Sequence, residues 1–336
     1  MLTLVVPGLI WPRQALADLS GDLRLPALSL LLGLGRLQAG AANDATAMLA
    51  GALGAALPLP AATVRRLAAG GVADDAEWIC LDPVRLLFEE RHLVLDDPRS
   101  LALDEAEAAA LAVSLAPTFA GLGEIERMGP QHWNLRLASP PPAFADLTSS
   151  IGRTAAPLPA DAAWRPWRQA LNEAQMVLHA HPVNQAREAA GKPVVNSLWP
   201  WGGGRLPAAT ACHHDSVWAS DSVIRGLARL QGVGTADLPA EFRLPPGESA
   251  LALFDDLATP ARLGDAIAWR EALTRLESAW LAPALAALRG GGLDELHLLA
   301  PGERNSVELV VRRSDLWKFW RKPLAPADVF AAATTP

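Results

Sequence analysis

A chain of 336 residues that is 51% hydrophobic and 19% charged can build one large domain or two unequal ones, and is too apolar for wholesale disorder. Its formal net charge of −7 has the wrong sign for a binder of nucleic acid or of anionic membranes. Tyr is absent, which removes phenolic acids and nucleophiles; the 2 cysteines, Cys80 and Cys212, lack CxxC spacing and suit buried thiols in a reducing cytosol.

Leu2 to Val6 reads as a buried strand stopped by Pro7-Gly8, and the helical patterns of Arg13 to Leu19 and Leu28 to Leu37 after it point to an α/β core. The opening residues carry neither a basic n-region nor a long apolar h-region, and no apolar run reaches the ~18 residues of a membrane span. A soluble, cytoplasmic protein is expected. From Trp78 the texture changes: Trp78 to Leu81 and His92 to Leu95 predict strands with charged connections. Asp104 and Glu107 have capping-box spacing and open an Ala/Leu helix running to about Leu115. Trp133 to Leu137 alternates like a half-buried strand, and the proline runs at 139–142 and 156–159 bracket a loop-rich stretch. A helix starts at Trp164, with Trp167, Leu171, Ala174 and Leu178 on one stripe.

Leu251 to Phe254 then reads as a strand, and Asp265 caps a long helix with Trp269, Leu273, Leu276 and Trp280 on one side. Glu295 to Leu299 and Ser306 to Arg312 are further strands. Strand density rises and βα alternation stops over 76–195, so this stretch is expected to form an α+β insertion in a discontinuous core of 1–75 and 196–336. In the terminal run Trp317-Lys318-Phe319-Trp320-Arg321-Lys322, the aromatics are expected on the core and the bases in water.

Chemistry concentrates between 171 and 205. Asn172, Gln175 and His179 share one helix face above His181-Pro182-Val183-Asn184, where Pro182 ends the helix. Arg187 and Lys192 add cations, Asn196 follows, and Gly202-Gly203-Gly204 lets backbone N–H groups approach an anion. On the residues alone two readings stand: a polar pocket, or side chains that satisfy buried backbone groups beside the core tryptophans Trp199 and Trp201.

This run resembles the His-Pro-Val-Asn, Arg, Gly, Asn and glycine-rich segment of archaeal-type cofactor-independent phosphoglycerate mutases. It is closer still to bacterial proteins termed phosphoglycerate mutase-related or RpfE-type regulatory proteins, in which Asn172-Glu173-Ala174-Gln175-Met176 and Trp199-Pro200-Trp201-Gly202-Gly203-Gly204 have counterparts. Asp82-Pro83-Val84, Trp11-Pro12-Arg13 and Arg225-Gly226-Leu227-Ala228 also fit that group's pattern, so the resemblance follows nearly the whole chain in order. It implies an alkaline-phosphatase-like α/β core, a central sheet flanked by helices, interrupted by a smaller α+β domain.

The active mutases hold two divalent metals on aspartates and histidines, and a serine attacks the phosphate. Here Val6-Pro7-Gly8 stands where the family has Asp-Gly, and Asn43 stands where it has the serine, although Asp44 survives. Asp255-Asp256-Leu257-Ala258-Thr259 lacks the histidine of the family's downstream motif, and Ala300-Pro301-Gly302-Glu303 lacks the late Asp-His pair. The resemblance with these departures implies a pseudoenzyme: a catalytically degenerate relative with a pocket lined by Asn172, Gln175, His181, Asn184, Arg187, Asn196, Gly202, Gly203 and Gly204. Arg187 would be the anion contact, because a guanidinium grips phosphate or carboxylate in bidentate fashion. The expected partner is a phosphorylated or carboxylated small molecule or a regulatory protein, with no cofactor, nucleic acid or membrane.

The alternative is an active mutase or phosphoryl-transfer enzyme that uses Asp44, Asp255 and Asp256 as acid or metal groups and Thr46 as nucleophile, with manganese or magnesium required only in that case. A third reading makes 171–205 a stiffener and the chain a scaffold. His179-x-His181 and His213-His214 chelate poorly, because neither i,i+2 on a helix nor adjacent positions converge. Ser149, Ser150 and Ser314 have no triad partners at a recognisable spacing, and no Lys-Ser/Thr follows the three glycines to make a P-loop.

Overall fold

The computed structural model of the chain describes residues 1–11, 22–89, 91–245 and 247–334; the expected helix at 13–19 and the Pro12-Arg13 part of the Trp11 motif lie outside them. The described residues form two compact units, one from Met1–Leu57 with Ala209–Pro336, the other from Pro58–Ala208. The first opens with β1 (Leu2–Val5), α1 (Pro26–Leu34), β2 (Arg36–Asn43) and α2 (Ala45–Ala52). Pro26 sits in the first turn of α1, where its missing N–H leaves no bond unmade.

The second unit runs α3 (Ala61–Ala68), β3 (Glu77–Val84), β4 (Leu86–Glu89), β5 (His92–Leu95), α4 (Glu105–Phe119), β6 (Gly123–Arg127), β7 (Trp133–Leu137), α5 (Arg165–Ala180), α6 (Pro182–Ala189) and β8 (Ser197–Gly204). Its four-stranded sheet is antiparallel in the order β6-β7-β3-β8, and β4 and β5 pair separately. The capping box is present at both ends: Glu107 N–H donates to Asp104 at 2.8 Å and Asp104 N–H to Glu107 at 3.1 Å. α4 continues past Leu115 because Phe119 is also core, and α5 buries Trp167, Ala174 and Leu178 in the same cluster. α3 packs on β3 and β8, and β8 pairs with β3. Residues 58–75 and 196–208 thus lie in this unit, outside the 76–195 span expected from strand density.

The first unit resumes with β9 (Ser216–Trp218), α7 (Ser222–Leu230), β10 (Gly234–Ala236), β11 (Ala250–Leu253), α8 (Ala258–Leu263), α9 (Ala266–Arg275), α10 (Ala282–Gly290), β12 (Glu295–Ala300), β13 (Gly302–Arg312) and α11 (Pro326–Thr334). Its seven-stranded sheet has the order β10-β9-β11-β1-β12-β13-β2; β10, β9, β11, β1 and β12 are parallel, and β13 is antiparallel to both neighbours. Strand alternation sends Leu2, Leu4, Leu296, Leu298, Val307 and Leu309 into a core with α1, α9 and α10. Thr3, His297 and Glu308 alternate with them and take the opposite face.

Asp265 caps α9, and Trp269, Leu273, Leu276 and Trp280 are all buried, as their spacing predicts. Between α9 and α10 the helix widens into a π turn at Leu276–Leu281, and the buried Glu277 within it accepts N–H bonds from Ala27 at 2.6 Å and Leu28 at 3.0 Å. Burial raises the Glu277 pKa against the pull of those two donors.

Two expectations are corrected. The helix expected to reach Leu37 stops at Leu34, because Gly35 abuts β13 and Arg36–Asn43 peels away as an exposed edge strand paired with it. The terminal aromatics face outward: Trp317, Phe319 and Trp320 are 80%, 89% and 67% exposed. The bases are the anchors. Arg321 donates to the Gly33, Leu34 and Gly35 carbonyls at the end of α1, with Gly35 at 3.0 Å, and Lys318 pairs with Asp315 at 2.5 Å. No helix among the described residues is long and apolar enough to cross a membrane.

Candidate functional site

Parallel strands deliver their carboxyl ends to one edge, where α/β folds place ligands. In the first unit that edge carries Val6-Pro7-Gly8 after β1, Asn43-Asp44 after β2, Ser220-Asp221 after β9, Asp255-Asp256 after β11 and Pro301 after β12. Three of these carboxylates, those of Asp44, Asp221 and Asp256, have structural partners. Asp44 caps α2 through Ala47 N–H at 2.6 Å, with Thr46 in the same first turn. Asp221 caps α7 through Val223 and Ile224 N–H, both at 2.9 Å. Asp256 pairs with Arg275 at 3.1 Å, and Asp237 beyond β10 pairs with Arg225. At Gly8 the backbone has φ +81°, and a Cβ there would meet the Leu257 carbonyl oxygen at 2.4 Å. Among the described residues no group of three or more His, Cys, Asp or Glu side chains is placed to hold a metal ion. This donor set does not fit a two-metal centre.

The 171–205 run lies in the second unit, and most of its special residues bond inward. Arg187 is 2% exposed; its guanidinium donates to Pro193 O at 2.7 Å, Glu107 at 2.5 Å and the Leu101 carbonyl. Asn184 donates to Leu178 O at 2.7 Å and Val195 O at 2.6 Å and accepts from Val195 N–H at 3.0 Å. Asn196 accepts from Leu86 N–H and donates to Leu86 O at 2.7 and 2.8 Å. His181 accepts the Val183 N–H as the cap of α6, and its Nε2 meets Ser114 Oγ at 3.0 Å. Asn172 is exposed, and Gln175 reaches only Ser197 Oγ at 3.4 Å.

The glycines have a packing reason as well. Gly202 has φ +58° and a Cβ there would sit 2.5 Å from Ala61 Cβ; Gly204, φ +142°, faces Pro60, and Gly203 faces Pro141. Gly202→Ala is therefore expected to cost roughly 1–3 kcal/mol in chemical denaturation, from left-handed backbone strain plus the clash at α3.

Beside the run lies a network that sequence reasoning missed. Arg65 and Asp82, each 1% exposed, meet at 2.8 Å. Arg65 also donates to Trp133 O at 2.5 Å and Asn134 Oδ1 at 2.6 Å, while Asp82 accepts from Trp133 N–H at 2.9 Å and Trp201 Nε1–H at 2.8 Å. Asp82-Pro83-Val84 was visible as a motif; nothing in the sequence marks Arg65 as its partner.

A second missed feature is a cavity of about 380 Å³ in the first unit, between α2 and the polar face of the sheet. Thr3, Asn43, His213, His214, His297 and Glu308 line it with Met1, whose amino group donates to Glu248 O at 2.8 Å. His214 is 8% exposed and its Nδ1 is buried with no hydrogen-bond partner. Burial, with His213, His297 and the amino terminus nearby, holds the His214 pKa below the ordinary imidazole value, Asp215 pulling the other way. The neighbouring acids are occupied. Asp215 accepts Ser249 N–H at 2.7 Å and its hydroxyl at 2.8 Å, and Glu295 pairs with His297 and, at 2.5 Å, with Arg312.

No family model matches the chain. Over 64 residues, 19% of the chain, it is 34% identical to a probable 2,3-bisphosphoglycerate-independent phosphoglycerate mutase of Geobacter sulfurreducens, and that match spans 16% of the relative's length. The fold is similar to that of the PH0037 protein from Pyrococcus horikoshii, with a TM-score of 0.54 at 13% identity over 100% of this chain and 98% of that one. A cofactor-independent phosphoglycerate mutase from Thermoplasma acidophilum aligns with a TM-score of 0.41 at 15% identity over 93% of this chain and 89% of that one.

Proposed function

We propose that the chain is a degenerate relative of cofactor-independent phosphoglycerate mutases, a pseudoenzyme that binds a small anion or a regulatory partner instead of turning over phosphoglycerate. The 64-residue likeness supports the lineage, and the second unit is then an insertion into an alkaline-phosphatase-like core. One observation carries the loss of turnover: the carboxyl-edge acids Asp44, Asp221 and Asp256 are spent on helix caps and an ion pair. Metal-assisted phosphoryl transfer needs such groups free to neutralise developing charge. The RpfE-type regulatory role is part of the same reading and rests on the Asn172-to-Gly204 pattern.

A coupled assay for conversion of 3-phosphoglycerate to 2-phosphoglycerate, with manganese added, is expected to show no rate above the uncatalysed background. Turnover that disappears in Asp44→Ala or Asp256→Ala would establish the active-enzyme alternative instead.

A further inference from the structure

We propose that the polar cavity of the first unit, between α2 and the sheet face, binds a small oxyanion, a carboxylate or a phosphate-like group, and takes up a proton on His214 as it does so. The place is set by geometry. Thr3 on β1 pairs with His297 on β12, His213-His214 precedes β9 and Asn43 ends β2, so the cavity runs along the sheet face beneath α2 with the His213 and His214 imidazoles at its β9 side. The proposal does not rest on the mutase lineage.

Three features point to an anion. Three imidazoles, those of His213, His214 and His297, line a cavity large enough for a small metabolite. Of the acids near them, Asp215 is bonded to Ser249 and Glu295 to His297 and Arg312, leaving Glu308 at the exposed rim. His214 is itself 8% exposed, so an anion seated against its ring would meet little competition from water. Thr3 and Asn43 can meet hydroxyls of the ligand body, and Glu308 selects against a second anionic group at the rim.

The direction of the pH dependence follows. Without a ligand, His214 titrates below the ordinary imidazole value, so near neutral pH it is uncharged. That depressed pKa stabilises the fold above the unfolded imidazole value, and the contribution is lost as pH falls through the folded one. An anion in the cavity favours the imidazolium and raises the pKa. Binding therefore consumes a proton and tightens as the solution is acidified.

Sulfate and acetate keep their charge through the neutral range, so they report on the protein alone. Calorimetry of the full chain is expected to show one of them binding about tenfold or more tightly at about pH 6 than at about pH 8, with proton uptake revealed by buffers of different ionisation enthalpy. The preferred probe separates a tetrahedral dianion from a planar carboxylate. His214→Leu should abolish the binding and His213→Gln weaken it. If His214→Leu fails to fold, the wild-type His214 NMR resonance decides: its titration midpoint must rise with saturating probe. Binding of neither probe, pH-independent binding, or an unmoved His214 midpoint overturns the proposal.

Discussion

Asp82→Ala is expected to cost roughly 3–5 kcal/mol of stability, because it strands the Arg65 guanidinium in the second unit's interior. Arg65 is 1% exposed and cannot reach water by a rotamer change. The loss extends past the ion pair, since Trp133 N–H and Trp201 Nε1–H lose their acceptor as well. Those donors belong to β7 and β8, and Arg65 to α3, so one carboxylate on β3 ties four elements together. The double variant Arg65→Met with Asp82→Leu is the sharper experiment. Exchanging a whole buried ion pair for apolar side chains is often near neutral, so it should recover much of the single-variant loss. Urea denaturation followed by Trp fluorescence measures both. A double variant as unstable as Asp82→Ala would mean that the hydrogen bonds to Asn134 and the Trp133 carbonyl, rather than the stranded charge, set the cost.

Arg187→Ala is expected to cost about 3 kcal/mol. The guanidinium binds one carboxylate and two carbonyls in three directions, and Glu107, its acid, is also half of the capping box that starts α4. Losing it loosens the α4 amino terminus along with α6. Arg187→Lys should recover little, because an ammonium cannot span three acceptors set out for a planar fork. The same variant bears on function. If Arg187 is structural, Arg187→Ala lowers the urea midpoint and leaves sulfate or acetate binding in the first-unit cavity unchanged. If it is an anion contact, a phosphorylated three-carbon acid that stabilises the wild type will lose its thermal shift in the variant.

These two arginines show where the sequence was readable. Local signals held: the Asp104–Glu107 box, the strands at 92–95 and 133–137, and the Trp269-to-Trp280 stripe each depend on residues within a few turns of one another. Partners far along the chain left no local trace. Glu107 lies 80 residues before Arg187, and an arginine beside His-Pro-Val-Asn reads as a ligand contact until that acid is placed next to it. Arg65 and Asp82 are 17 residues apart, and neither sits in a pattern that announces burial of a charge. The strand β2 is not foreseen by the sequence, in which its first two residues read as the end of a helix; all eight of its residues are exposed, so it has no apolar alternation, and its pairing with β13 supplies the order. The outward aromatics at 317–320 follow from Arg321 reaching the end of α1, a contact 286 to 288 residues distant in sequence.

The His213-His214 pair was legible as residues and not as a place. Adjacent imidazoles diverge, which argues against chelation by the pair alone, but the approach of His297 depends on the register of β1 against β12.

The central claim is that the acids at the carboxyl edge serve the fold and hold no catalytic metal. Calorimetric titration of manganese into the chelator-treated full chain tests this most directly, with the bound ions followed by electron paramagnetic resonance. No stoichiometric site is expected, and Asp44→Asn should lower stability by about 1 kcal/mol or less without altering the manganese isotherm. Two tightly bound manganese ions per chain, lost in Asp44→Asn or Asp256→Asn, would contradict it.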